Sequence, residues 1–256
     1  MEVSLLQAVL IGLVTYLGAI HTPWLLGATG GWYGIGRPLV AGTLVGLILG
    51  DVKTGMIIGA TINMVFLGAI SPGGAMAADL NFAGFIGTAL AMITNSSPQV
   101  AVSLAVPIGL IGVFAWNAFS TINVFFVHMV DKYAAEGSLA KMRFAGIFLP
   151  QLLGFALRFV PAFLVVYFGA AYGNNLSALI PAWLTTALGT IGSILPAIGM
   201  ALLLKMMINE FSLWSFFLIG FVMVAVLKIS IVPLSVIGIS LAFVVLYLRN
   251  KNEEIA

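Results

Sequence analysis

The sequence predicts an all-α polytopic membrane protein that combines full transmembrane helices with short re-entrant or broken ones. Hydrophobic residues make up 62% of the 256 residues and charged ones 7%. A soluble domain carries about 25% charged residues, so too few are present here to cover a water-facing surface. Apolar runs separated by charges or Pro/Gly breakers recur along the whole chain, and its length suits roughly six to nine membrane segments. Several of the runs are too short for a straight helix to cross roughly 30 Å of hydrocarbon.

The first run, Leu5 to Ile20, follows an acidic residue with no Lys or Arg before it, so it is expected to be a retained segment rather than a signal peptide. A polar-aromatic connector follows, "HTPWLLGATGGWYGIGRP". Leu39 to Gly50 and Met56 to Ile70 are short pieces joined by "DVKTG", and the break "SPGGAMAAD" leads to another short piece, Phe82 to Ile93. Ala101 to Val127 reads as a full tilted helix, and "HMVDKYAAEGSLAKMR" as the most charged loop. Phe144 to Ala171 is a span interrupted by Arg158 and Pro161, followed by the uncharged loop "YGNNLSALIPAW". Then come Leu188 to Leu204, the polar knot "KMMINE", spans near Leu213–Leu227 and Ile229–Leu248, and a solvated tail.

Residues 1–248 therefore form a single membrane domain, with its working core in 37–95 plus parts of 188–212, and 249–256 form a cytoplasmic tail. Lys132, Lys141 and Arg143, with Arg249 and Lys251 in the tail, mark the cytoplasmic side, and the uncharged stretch 172–186 the external one. Lys228 conflicts mildly with that orientation. A loose echo between "ILPAIGMALLLKMMINEF" and "GMIIGATINMVF" leaves an inverted repeat open.

Net charge of +2 without a basic run excludes a nucleic-acid partner as the main reading, and zero cysteines exclude thiol chemistry and Cys-ligated metal. The chain carries no Walker A, HExxH, GxSxG or Cys/His metal set, so no catalytic residue, metal or cofactor is expected. Short interrupted segments point to a transporter's substrate site, because irregular backbone survives at membrane depth only inside protein or beside water.

Individual residues follow from that. Gly42, Gly46 and Gly50, repeated by Gly55 and Gly59, make stripes that let backbones approach, with packing their first meaning. Asp51 and Lys53 sit on a turn between two short pieces, either a solvated tip or a lining of the substrate path. The Asn63 amide suits a hydroxyl-rich ligand or a bond between helices. Asp79 ends the Pro-Gly-Gly break. It can accept sugar hydroxyls or cap the run that starts at Leu80, while Gly73 and Gly74 expose bare backbone N–H groups. His21, His128, Trp24, Trp32 and Tyr33 read as interfacial, Arg37 as snorkelling to headgroups, and Arg158 as a charge that needs a partner or a wet cavity.

The run "RPLVAGTLVGLILGDVKTGMIIGATINMVFLG" resembles the membrane subunit IIC of the mannose-fructose-sorbose family of the bacterial phosphoenolpyruvate-dependent sugar phosphotransferase system. "MEVSLLQAVLIGL", "HMVDKYAAEGSLAKM", "IPAWLTTAL" and "ILPAIGMALLLKMMINEF" fit in the expected order, so the likeness covers roughly residues 1 to 248. The resemblance implies a sugar-translocating subunit in the bacterial inner membrane, carrying a hexose, amino sugar or related sugar by an elevator-like movement. It implies a IID membrane partner, homotrimers within a IIC–IID complex, and a phosphorylated cytoplasmic IIAB protein whose IIB part phosphorylates the sugar. Thr61-Ile62-Asn63 departs from the family's common Thr-x-Glu, and the connector "HTPWLLGATGGWYGIG" departs from mannose carriers.

On this reading Asn63 and Asp79 meet sugar hydroxyls, Gly73 and Gly74 allow close approach, and the Asp51–Lys53 tip gates or hands over. Two rivals stand beside it. One is an ion-coupled secondary transporter using Asp79 as coupling carboxylate with Glu210 assisting; the other is a membrane scaffold.

Overall fold

The computed structural model describes residues 3–24, 27–67, 78–179, 182–208, 210 and 213–255. Gly73 and Gly74 lie outside the described residues. The chain is all-helical, with no strand among the described residues.

Each early helix begins and ends where its sequence dictates. Ser4 caps α1 (Leu5–Leu17) in a reciprocal capping box with Gln7, and Gly18 closes it. A π-helical turn, Ala28–Ile35, meets α2 (Pro38–Leu49) at 72°, the bend of a broken span or a re-entrant loop. Pro38 opens α2, and Gly50 ends it with φ of 89°, a left-handed geometry that glycine adopts without strain. Asp51 caps α3 (Val52–Val65) by accepting the Thr54 N–H at 3.0 Å. Lys53 thus lies in the first turn of α3 rather than in a loop.

The glycine stripes bring the backbones of α2 and α3 into direct contact. A Cβ on Gly42 would stand 2.5 Å from the Gly55 carbonyl oxygen and 2.6 Å from the Gly59 Cα. One on Gly46 would stand 2.7 Å from the Asp51 carbonyl oxygen. The α2–α3 hairpin is therefore held backbone to backbone, the packing meaning that the spacing suggests.

Helix α4 (Leu80–Ile93) is the centre of the first compact unit, Met1–Leu203. It packs against α1, α2, α3, α5 and α7, and every residue but Leu90 is buried. At 14 residues it is about 21 Å long, too short to cross a bilayer. Apolar residues all round suit a helix with neighbours on every side.

Helices α5 (Pro98–Ala135) and α7 (Leu149–Leu179) are the long members of the unit. Pro98–Ala135 and Leu139–Gly169 are the two stretches, among the described residues, long and apolar enough to cross a membrane. Three expectations are corrected here. The charged segment from His128 is helical through Ala135 because no breaker precedes Gly137, whose φ is 67°, and Leu139–Arg143 form a further short helix, α6. At 38 residues and about 57 Å, α5 exceeds the hydrocarbon thickness, so its charged end can reach water without a loop. Neither Arg158 nor Pro161 interrupts α7, which runs through the expected loop to Leu179, and α8 (Ala182–Met207) starts almost at once. Finally, Trp32 is buried in the core rather than placed in an interfacial belt, whereas Trp24 and Tyr33 are exposed.

The second compact unit is Leu204–Ala256. Its helices α9 (Trp214–Ala225) and α10 (Ile231–Ile255) form a hairpin whose described side chains are mostly exposed and apolar. Between them lies a groove of about 580 Å³ around Phe216, Gly220, Leu234 and Gly238, lined almost wholly by apolar atoms. It offers nothing for a hydroxyl-rich solute to bond.

Candidate functional site

The polar chemistry of the first unit gathers at the start of α4, where the Pro-Gly-Gly break ends. Asp79 is fully buried and held three ways. Its Oδ1 accepts the Phe82 N–H at 3.0 Å, capping α4, and its own N–H donates to the Gly109 carbonyl of α5 at 2.9 Å. Its Oδ2 lies 2.5 Å from Nη1 of Arg158 on α7, an ion pair in which that oxygen has no other partner among the described residues. Arg158 is itself 1% exposed. A charge in this interior is retained only when compensated, and here each charge compensates the other.

The network extends through α4. Arg158 Nη1 also reaches Asn81 Oδ1 at 3.4 Å, while Asn81 Nδ2 donates to the Thr15 carbonyl of α1 at 3.0 Å. The guanidinium lies 4.8 Å over the Phe82 ring, a cation–π contact. Bare backbone makes room for the polar groups. Gly112 of α5 seats Asp79, and a Cβ on Gly18 would stand 2.6 Å from Asn81 Nδ2. Four helices, α1, α4, α5 and α7, thus meet at one ion pair.

A second polar cluster ties α1 and its connector to α7. Tyr16 Oη donates to Gln151 Oε1 at 2.8 Å, and Gln151 Nε2 donates to the His21 carbonyl at 2.9 Å. Trp24 Nε1 donates to Tyr16 Oη at 3.3 Å. The His21 ring stacks on Phe119 of α5 at 4.2 Å and rests on Gly154, so it is a packing residue rather than an interfacial one. Gln151→Leu removes the acceptor of the Tyr16 O–H and the donor to the His21 carbonyl. The expected cost is about 1–3 kcal/mol, read as a lower melting temperature in detergent.

Asn63 stands apart from this network. It lines a recess of about 370 Å³ with Tyr33, Arg37, Leu39, Val40 and Leu67, within the roughly 300–1,000 Å³ range of small-molecule sites. The Asn63 side chain makes no hydrogen bond to another described residue, and the Arg37 guanidinium lies 5.2 Å over the Tyr33 ring. Asp51 and Lys53 lie at the opposite end of α3, about 15–18 Å along the helix from Asn63. The structure therefore joins Asp79 to Arg158, Asn81 and Thr15, and leaves Asn63 with Arg37 and Tyr33. Sequence reasoning marks Asp79 and Arg158 separately as needing explanation but does not pair them, and it misses Asn81, Thr15 and Gln151. The signal for the pair is that two opposite charges lie inside otherwise uncharged apolar stretches.

No described residues form a group of three or more His, Cys, Asp or Glu able to hold a metal. A buried helix beside an internal ion pair, set among long apolar helices, fits a polytopic membrane protein. The family model described as the sorbose-specific IIC component of the phosphotransferase system matches residues 5–244, and the chain belongs to that family of sugar permease components.

Its relatives agree. The mannose-specific EIIC component of Escherichia coli K12 is 34% identical over 209 residues, covering 81% of this chain and 76% of the relative. The sorbose-specific EIIC component of Klebsiella pneumoniae is 31% identical over 221 residues, covering 85% and 80%. Among solved structures, the mannose transporter ManYZ in complex with microcin E492 matches with a TM-score of 0.59, 33% identity and 97% coverage of both chains. A structure described only as a membrane protein matches with a TM-score of 0.81 and 32% identity, again over 97% of each.

Proposed function

We propose that this chain is the sugar-translocating subunit of its phosphotransferase complex, carrying a hexose, amino sugar or related sugar across the bacterial inner membrane. Family membership over residues 5–244 is the observation that carries this reading. The partners are a IID membrane subunit, with homotrimers of each, and a cytoplasmic IIAB protein whose IIB part phosphorylates the arriving sugar. Phosphorylation then prevents return, because a charged product does not recross the hydrocarbon. Movement is elevator-like. The membrane domain spans 1–248 with its working core in 37–95 and parts of 188–212, and 249–256 is a cytoplasmic tail.

Within that reading Asn63 is the residue for sugar hydroxyls. It lies in a recess of suitable size, and its side chain is bonded to no other described residue. Gly73 and Gly74 supply close approach from the break, and the Asp51–Lys53 turn serves gating or handover. Asp79 belongs to the same site through the break it terminates. Its carboxylate is committed to Phe82 and Arg158, which favours a supporting role and argues against a coupling carboxylate open to an ion.

The test is uptake of labelled hexoses and amino sugars by cells expressing this chain with IID and IIAB, and by cells lacking each partner in turn. One sugar accumulates with the full set, and omission of any partner abolishes it. Uptake that persists without IID and IIAB contradicts the reading. For the accepted sugar, Asn63→Ala raises the KM of uptake by roughly tenfold, the equivalent of one or two lost hydrogen bonds, with membrane levels unchanged.

A further inference from the structure

We infer that the recess at Asn63 takes a sugar bearing a carboxylate and that Arg37 selects it: a guanidinium stands beside an amide there, with no acid among the described residues lining the recess. This rests on the reading of the chain as a sugar carrier and narrows its substrate. The recess opens at the 72° bend where Ala28–Ile35 meets α2, with Tyr33 on one side of the bend, Arg37 at it and Asn63 across from α3.

Arg37 is half-buried, and among the described residues it forms no ion pair. Asp79 is taken by Arg158, and Asp51 lies at the far end of α3. The stretch that follows Leu67 supplies no acid either, since residues 68–77 read GAISPGGAMA. The Tyr33 ring, 5.2 Å from the guanidinium, orients the charge without cancelling it. An ionisable group in a membrane protein that no internal charge compensates marks a solute path.

A neutral sugar has little use for that cation. Amides and hydroxyls bind its hydroxyls without the cost of desolvating a charge. A planar carboxylate, by contrast, uses what arginine offers, parallel N–H groups in a fixed fork. Asn63 then remains for the ring hydroxyls and Tyr33 for a C–H face. The start of α2 adds to the same field. Arg37 is its N-cap, no side chain caps it, and Leu39 and Val40 of its positive first turn line the recess. An ammonium group meets like charge there, so free amino sugars are rejected.

Uptake is measured in cells carrying IID and IIAB for neutral, acidic and amino forms of the same skeleton: glucose, glucuronate and glucosamine, then galactose, galacturonate and galactosamine. The expected result is an acidic sugar with a KM at least about tenfold below its neutral form, the scale of a charge-assisted contact, and no saturable uptake of the amino form. Arg37→Gln keeps polar reach and removes the charge. It should raise the KM of the acid at least about tenfold and leave the neutral sugar within about twofold. A misfolded chain loses both sugars alike, so the ratio of the two KM values separates selection from folding. Asn63→Asp, which sets an acid beside Arg37, should weaken the acidic sugar selectively as well. A parent chain that prefers the neutral or amino form overturns the proposal, and so does a ratio that Arg37→Gln leaves unchanged. A phospholipid headgroup would use the same cation. If phosphatidylglycerol raises the melting temperature of the parent but not of Arg37→Gln, and the KM ratio is unaltered, Arg37 holds lipid and the proposal falls. If the parent takes up none of these sugars with all partners present, the carrier reading fails instead, and the two failures are told apart within one experiment.

Discussion

Arg158→Ala is expected to destabilise the first unit by about 3–5 kcal/mol, the usual cost of leaving one member of a buried ion pair without its partner. The buried Asp79 would keep, among the described residues, the Phe82 N–H alone to satisfy its charge. Asp79→Ala should cost a similar amount, because it strands Arg158 and removes the cap of α4 as well. The double variant Asp79→Ala with Arg158→Ala should lose less than the sum of the two single losses, because it strands no charge. Melting curves of the four proteins in one detergent supply the double-mutant cycle, and a coupling of less than about 0.5 kcal/mol would show that the two residues act independently.

The second large effect is expected at the α2–α3 hairpin. Gly42→Leu places a side chain where the Gly55 carbonyl and Gly59 Cα already stand, and both obstacles are backbone. Unlike a side chain, they cannot rotate away, so the helices must separate and the hairpin loses its seam. The cost is expected at or above the roughly 1–3 kcal/mol typical of overpacking, with Gly42→Ala following in the same direction. Gly220→Ala in α9 is the matched control, since nothing lies within 4 Å of the added methyl and the backbone is helical. That substitution should be neutral or slightly stabilising through helix propensity. Equal loss at Gly42 and Gly220 would show that glycine content, not the seam, matters.

Local chemistry was readable from the sequence, and tertiary neighbours were not. The start of α4 follows from an Asp after a Pro-Gly-Gly break, and the hairpin seam from glycines spaced four apart, because caps and packing stripes are properties of adjacent residues. The short pieces likewise announce helices that cannot span alone. Polarity misleads in the segment from His128. Its charges suggest a loop, yet nothing there interrupts helical geometry before Gly137, and a helix longer than the bilayer is thick carries charges into water. His21 and Trp32 look interfacial by residue type. What buries them, Phe119 and Gly154 for His21 and the helical core for Trp32, is remote in sequence. The same holds for the ion pair. Each charge is conspicuous alone, but only the fold brings α7 beside the first turn of α4.

The reason for an acidic residue in the centre of so apolar a chain is thus twofold. Asp79 starts a helix whose neighbours leave no water to solvate its first N–H groups, and it anchors Arg158. The break before it, the α2–α3 hairpin and the recess at Asn63 belong to one stretch of chain, the stretch proposed to handle sugar.

The most direct test of that account is the chemical identity of what accumulates inside membrane vesicles containing this chain, IID and IIAB. Vesicles are supplied with phosphoenolpyruvate, the general phosphotransfer proteins and a labelled sugar, and the internal product is resolved by chromatography. The account predicts sugar phosphate, formed only with phosphoenolpyruvate and every partner present, and insensitive to a protonophore. Free sugar accumulating with this chain alone, and lost when the proton gradient is collapsed, would contradict it.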